Sequence, residues 1–211
     1  MRVHLTSDLA GVVRLGVLVV AGADNAARHA ELDAALTGAE AAAREGPDGD
    51  PRAVRAMYRR IGIDPTRTRP SSEALLRRIR KGNPLPRINP LVDVVNWCSL
   101  EFQLPYGLYD LARVVPPVEL RIGRDGEEYE GIRKDVVHVA GRMTLADRNG
   151  PFGNPTSDSA RTMVTDATRD AFCAVFAPAD LERARLDAVL ETTAARLARF
   201  TGAREAERAV I

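Results

Sequence analysis

The sequence is poor in the residues that most often announce a chemistry. Its three histidines, His4, His29 and His138, are scattered, and none stands at metal-ligand spacing to a cysteine, which argues against a zinc site. The two cysteines, Cys98 and Cys173, lie in apolar surroundings with no signal peptide ahead of them. They read as buried thiols of a cytoplasmic protein rather than as a disulfide. No histidine or helix N-terminus stands beside Cys98 to activate it, so it reads as core packing. The apolar run Val17 to Ala21 with its neighbours is interrupted by Arg14 and falls far short of the ~20 residues that cross a bilayer. A membrane partner is therefore not expected. There is no G-x-G-x-x-G after a strand, no P-loop and no G-x-S-x-G elbow, and no cofactor is implied. Lysine is nearly absent, at Lys81 and Lys134 alone, so the use of arginine at any one position says little.

What is present is enough chain for one domain. At 211 residues, folding buries roughly 70% of the unfolded surface. Net charge is only +1, but its distribution is uneven. Between Arg52 and Arg87 eleven basic residues face two acids, Asp64 and Glu73, a local excess that can form one face. Charged residues on a helix are by default a solvated face. Tyr58 is the one aromatic among them, so stacking on unpaired bases has little support.

In chain order, Val12 to Ala21 reads as a buried strand, and Ala23 to Glu45 as an alanine-rich helix capped by Asp24 or Asn25. That helix also offers a surface for a homodimer. Asp50 with Pro51 opens a second helix carrying Val54, Met57, Tyr58 and Ile61 inward. Ser71 caps a third, with Leu75, Leu76 and Ile79 inward. The pattern then shifts to period 2: Val118 to Ile122 and Glu128 to Ile132 read as a hairpin turned at Asp125-Gly126, followed by Val136 to Ala140 and Gly141 to Leu145. Asp147 to Thr168 reads as a long loop, of the kind that usually carries function. Phe172 to Phe176 is a buried run, and Pro178 opens a final helix with Leu186, Val189, Leu190, Leu197 and Phe200 on one face.

Between the third helix and the strands lies the most informative stretch, Leu85 to Asp110. Asn89 caps a helix, Pro90 suits its first position, and Leu91, Val94, Val95, Cys98 and Phe102 recur at helical spacing. Asp93 and Asn96, three apart, share an adjoining face. The helix is expected to end near Gln103, ahead of Leu104-Pro105. The order V-D-x-x-N-W-x-x-L-E-x-x-x-P-x-x-x-Y-D, carried by Val92, Asp93, Asn96, Trp97, Leu100, Glu101, Pro105, Tyr109 and Asp110, resembles the start of the B3/B4 domain of the phenylalanyl-tRNA synthetase beta subunit. With no synthetase core present, the nearer likeness is to free-standing B3/B4 proteins, which the segments Tyr58 to Thr66 and Arg69 to Leu75 also resemble. A looser second block, Gly153, Ser159, Val164, Thr165 and Thr168 ahead of Ala171 to Phe176, follows the same family order.

This resemblance implies an α+β fold, a B3/B4-like domain with a beta-sandwich-like core flanked by helices. It would be a single domain over 1–211: an N-terminal strand and helix extension over 1–50, the resemblance over 51–178 and a C-terminal helix over 179–211. It implies a tRNA or aminoacyl-tRNA partner, with no DNA expected. The activity implied is hydrolysis of a mischarged aminoacyl-tRNA in trans, and the alternative is a small-molecule or amino-acid binding protein that keeps the cavity without catalysis. The implied pocket comprises Asn96, Asp93, Gly107, Gly153, Ser157, Asp158 and Ser159, although Ser, Asp and Asn of such a loop also commonly cap local turns. Arg59, Arg60, Arg67, Arg69, Arg77 and Arg78 become phosphate contacts, since guanidinium forks fit phosphate oxygens. The likeness has gaps. The family's pocket asparagine is matched by Asn96, but its histidine stands as Gly107, and the glutamate that recognises a tyrosine hydroxyl falls near Cys173 or Ala174. No catalytic residue is assigned.

Overall fold

The computed structural model describes residues 1–26, 28–133 and 135–211. The chain runs through β1 (Val3–Leu5), β2 (Val13–Ala21), α1 (Ala30–Glu45), α2 (Pro51–Arg60), α3 (Ser71–Arg80), α4 (Pro90–Phe102), β3 (Tyr106–Asp110), β4 (Val118–Ile122), β5 (Glu128–Glu130), β6 (Val136–His138), β7 (Met143–Asp147), β8 (Gly150–Gly153), β9 (Ala171–Pro178), α5 (Arg183–Thr201) and β10 (Arg204–Val210). Two four-stranded sheets, ordered β1-β4-β7-β8 and β10-β2-β9-β3, are joined by a separate ribbon of β5 and β6. The fold is α+β.

β9 has every residue buried and pairs antiparallel with β2 on one side and β3 on the other, which is why its sequence is an unbroken apolar run. α5 lies on β2, and α4 packs against both α5 and β3. The second sheet meets the first where Tyr109 of β3 sits edge-on to Phe152 of β8, ring centroids 4.8 Å apart.

α4 is built as its sequence dictates. Asn89 Oδ1 accepts the Val92 N–H at 3.1 Å, Pro90 fills the first position, and Leu91, Val94, Val95, Cys98 and Phe102 are all buried. The helix stops at Gln103, whose φ of 52° lies in the left-handed region.

Several expected elements differ. α1 begins at Ala30 rather than near Ala23, because Asn25 is not a cap for its own helix: it is fully buried, donates from Nδ2 to the Thr165 carbonyl and accepts the Leu91 N–H on Oδ1, both at 2.8 Å. Tertiary bonds thus claim the backbone that local pattern assigns to a helix. Pro70, not Ser71, occupies the cap position of α3. β4 and β5 do not form a hairpin; β1 and β7 take both edges of β4, so β5 pairs with β6 instead. The stretch read as a long loop contains β8. At the end of the chain, β9 runs through Pro178, α5 starts only at Arg183, and 204–210 form an edge strand rather than more helix.

Candidate functional site

α3, α4 and the loop after β8 enclose a cavity of about 510 Å³, closed on a further side by the turn that joins β5 to β6. α4 contributes Val95, Asn96 and Ser99; α3 contributes Ser71, Ala74 and Leu75; Tyr106 comes from β3; Thr156, Ser157 and Asp158 come from the loop. Ile132, Arg133, Asp135 and Val137 line the ribbon side, and Arg69 the approach to α3. The cavity is therefore amphipathic, with aliphatic walls, hydroxyls and charges of both signs.

Asp158 is a strongly perturbed carboxyl in this cavity. Burial pushes its carboxyl up to about 7, against the opposing pull of the Tyr109 hydroxyl, which donates to Oδ1 at 2.8 Å, and of the Leu108 N–H. A carboxyl near neutrality can both take and return a proton. Tyr109 is itself fully buried, and burial raises its phenol well above the usual value, so it acts as a neutral donor. Gly107 and Gly153 leave the room for it: a Cβ at either position would stand 2.1 Å from the Tyr109 oxygen. Arg69 Nε and Ser71 Oγ, both shielded, have no hydrogen-bond partner among the described residues; Arg69 Nε lies 3.4 Å from Glu73.

The seven residues expected in the pocket are distributed as follows. Asn96, Ser157 and Asp158 line the cavity. Gly107 and Gly153 are not on its wall but bracket the tyrosine that holds Asp158. Asp93 is elsewhere: it accepts the Ile88 N–H at 2.7 Å at the start of α4, and burial raises its carboxyl. Ser159 caps a short turn by accepting the Arg161 N–H. Of the six arginines expected on phosphate, Arg69 lines the cavity instead. Tyr106, Ser99 and the ribbon residues carry no local signal in the sequence, since pairing of β5 with β6 is what carries Ile132 and Asp135 to the site.

The gaps in the likeness converge. Gly107 pairs with Ala174, and Leu108 with Cys173, across β3 and β9. Both positions that bear a histidine and a glutamate in the resembling domains are thus small here and lie together. Neither cysteine supplies a substitute: burial raises both thiols, away from the reactive thiolate. Among the described residues no cluster of metal-ligating side chains occurs, and no helix is long and apolar enough to cross a membrane.

Two sheets with a helix-walled amphipathic cavity define an α+β domain. Residues 53–210 match the B3/4 domain, and the chain belongs to that family. It is 28% identical over 143 residues to the phenylalanine–tRNA ligase beta subunit of Haemophilus influenzae (strain 86-028NP), covering 64% of this chain but 17% of that protein. The same subunit of Thiobacillus denitrificans is 33% identical over 122 residues, 56% of this chain and 15% of the relative. The chain thus spans under a fifth of the length of these curated relatives. Among solved structures, an N-terminal fragment of the phenylalanyl-tRNA synthetase beta subunit from Pyrococcus horikoshii covers 99% of this chain and 53% of its own, with a TM-score of 0.50 and 14% identity. That likeness shows the fold.

Proposed function

We propose that this B3/4 domain binds the charged end of a tRNA and hydrolyses a mischarged aminoacyl ester in trans. The observation that carries the reading is that Asn96 and a near-neutral carboxyl, Asp158, line one cavity of about 510 Å³. A water held by Asp158 attacks the ester carbonyl and gives its proton to that carboxylate, and the ribose oxygen leaves with a proton returned. Asn96 orients the ester, and Leu75, Val95 and Val137 receive the side chain. Family membership supports the tRNA partner, since the relatives are tRNA ligase subunits.

A second reading is favoured by one feature. With Gly107 at the position of the histidine and Cys173 or Ala174 at that of the glutamate, two polar side chains of the resembling domains have no counterpart here, as expected of an amino-acid or small-molecule binding protein without turnover.

Deacylation of a panel of correctly and wrongly charged tRNAs by the purified protein, with Asn96→Ala and Asp158→Asn alongside, separates the two. Turnover of one mischarged species, lost in both variants, is the expected outcome. Saturable binding of a free amino acid with no deacylation of any tRNA establishes the second reading instead.

A further inference from the structure

The sequence marks a block of arginines without saying which of them act together, and the structure sorts them. Arg67 lies 3.9 Å from Asp64, Arg78 donates from Nε to the Pro84 carbonyl, and Arg60 donates to the Gly11 carbonyl at 3.4 Å. These are engaged within the protein. A second group is not: Arg77, Arg80 and Lys81 stand at i, i+3 and i+4 on one face of α3 and its end, opposite Arg52 and Arg55 of α2, around a cleft of about 350 Å³.

We propose that this α2–α3 cleft is a docking site for the phosphodiester backbone of RNA. The inference rests on the reading of tRNA as partner and deepens it by naming the face that holds the nucleic acid.

Three observations support it. First, the one carboxylate lining the cleft, Glu73, is already neutralised: it accepts from Arg55 at 2.7 and 2.9 Å and lies 3.4 Å from Arg69. Arg77, Arg80 and Lys81 make no ion pair among the described residues, and all three are exposed. Second, stabilisation of a helix end does not account for the group. Cations suit the C-terminus of α3, whereas Arg52 and Arg55 stand in the first half of α2, whose dipole end is positive, and are held there by Asp50 and Glu73. The cleft thus sets the unpaired cations Arg77, Arg80 and Lys81 beside two ion-paired arginines, an excess of positive charge that an anion relieves. Third, the cations extend from Arg77 to Lys81, four residue steps or about 6 Å at 1.5 Å per residue, and across to α2. That span suits successive phosphates held by guanidinium forks better than one small anion.

Position relates the cleft to the cavity. Ser71, Ala74 and Leu75 of α3 face the cavity, whereas Arg77 and Arg80 face the cleft, so one helix, ~10 Å thick, is the wall between them. RNA lying in the cleft has its end within reach of the cavity mouth.

The test measures binding of fluorescently labelled uncharged tRNA against salt for the wild-type chain and for Arg77→Gln/Arg80→Gln/Lys81→Gln. A charge-keeping control, Arg77→Lys/Arg80→Lys/Lys81→Arg, and a distal control, Arg59→Gln/Arg60→Gln, run alongside. If all three cations contact phosphate, the triple neutralisation lowers the slope of log K against log salt by about 2 and the affinity at 0.1 M salt roughly 100-fold, while the charge-keeping control stays near wild type. Unchanged far-ultraviolet circular dichroism and thermal midpoint show that the variant is folded. Salt-dependent binding that survives the triple change, or that is lost in the distal control instead, overturns the cleft and leaves the tRNA reading standing. Wild-type protein that binds no tRNA at low salt overturns both. Displacement of tRNA by millimolar inorganic phosphate at constant ionic strength assigns the cleft to a small anion and overturns the RNA backbone as its occupant.

Discussion

The hydroxyl of Tyr109 donates to Asp158 at 2.8 Å from a slot flanked by two glycines, so a residue of β3 holds the cavity carboxyl and opposes the rise that burial imposes on it. Asp158 has a folded-state value near 7 against an ordinary 3.8. The folded protein therefore binds this proton more tightly than the unfolded chain between those limits, and the stability so gained is lost as pH rises through about 7. Replacing Asp158 with Asn is expected to remove on the order of 2 kcal/mol from the fall in stability between pH 5 and pH 8. Urea denaturation of both proteins at the two pH values reads it; identical pH dependence would mean that Asp158 ionises normally.

Gly107 has no space for a methyl group, because the Tyr109 oxygen and ring carbons fill it. Gly107→Ala is expected to cost about 1–3 kcal/mol through overpacking. Combined with Tyr109→Val, which empties the slot, the alanine should be nearly neutral relative to Tyr109→Val alone. A double-mutant cycle in urea checks this, and additive losses would show that the strain lies elsewhere.

Asn25 links two distant segments, the start of α4 and the loop leading to β9, from a site with no solvent exposure. Asn25→Ala leaves the Leu91 N–H and the Thr165 carbonyl without this partner, and a loss of about 2–4 kcal/mol is expected. Hydrogen exchange should locate the loss at the first turn of α4. Uniform loosening of the whole chain with no local change there would contradict the bridging role.

Glu40 is buried, accepts the Leu85 N–H at 2.9 Å and is ion-paired with Arg87 Nη1, also at 2.9 Å. Glu40→Ala is expected to cost about 2–3 kcal/mol, since it orphans a backbone donor and half-frees a shielded guanidinium. Glu40→Gln keeps an acceptor for Leu85 and should recover part of that loss in thermal melts. Equal losses would place the whole effect in the charge.

Legibility in the sequence followed the range of the interactions. α2 and α4 could be read to within a residue because Asp50 and Asn89 bond their own first turns, and proline at the next position reinforces each. Asn25 has the same capping chemistry, yet its partners lie 66 and 140 positions away, so the local reading extended α1 too far. β10 was hidden for another reason: Arg204 to Val210 is rich in helix formers and becomes a strand only by pairing with β2. The cavity was half legible. Asn96 and Asp158 stood in recognisable surroundings, but Arg133 and Asp135 reach the site through a ribbon whose pairing no local pattern specifies.

Arg208 stands opposite Leu18 in the sheet, 190 positions later in the chain. At a synthesis rate of 5–20 residues per second, β2 waits roughly 10–40 s for that neighbour. Its apolar residues, Val17 to Val20, meanwhile offer an unpaired hydrophobic edge. Early synthesis is thus the period when this chain most needs protection from aggregation, and helix-rich 30–102, whose contacts are more local, can order first.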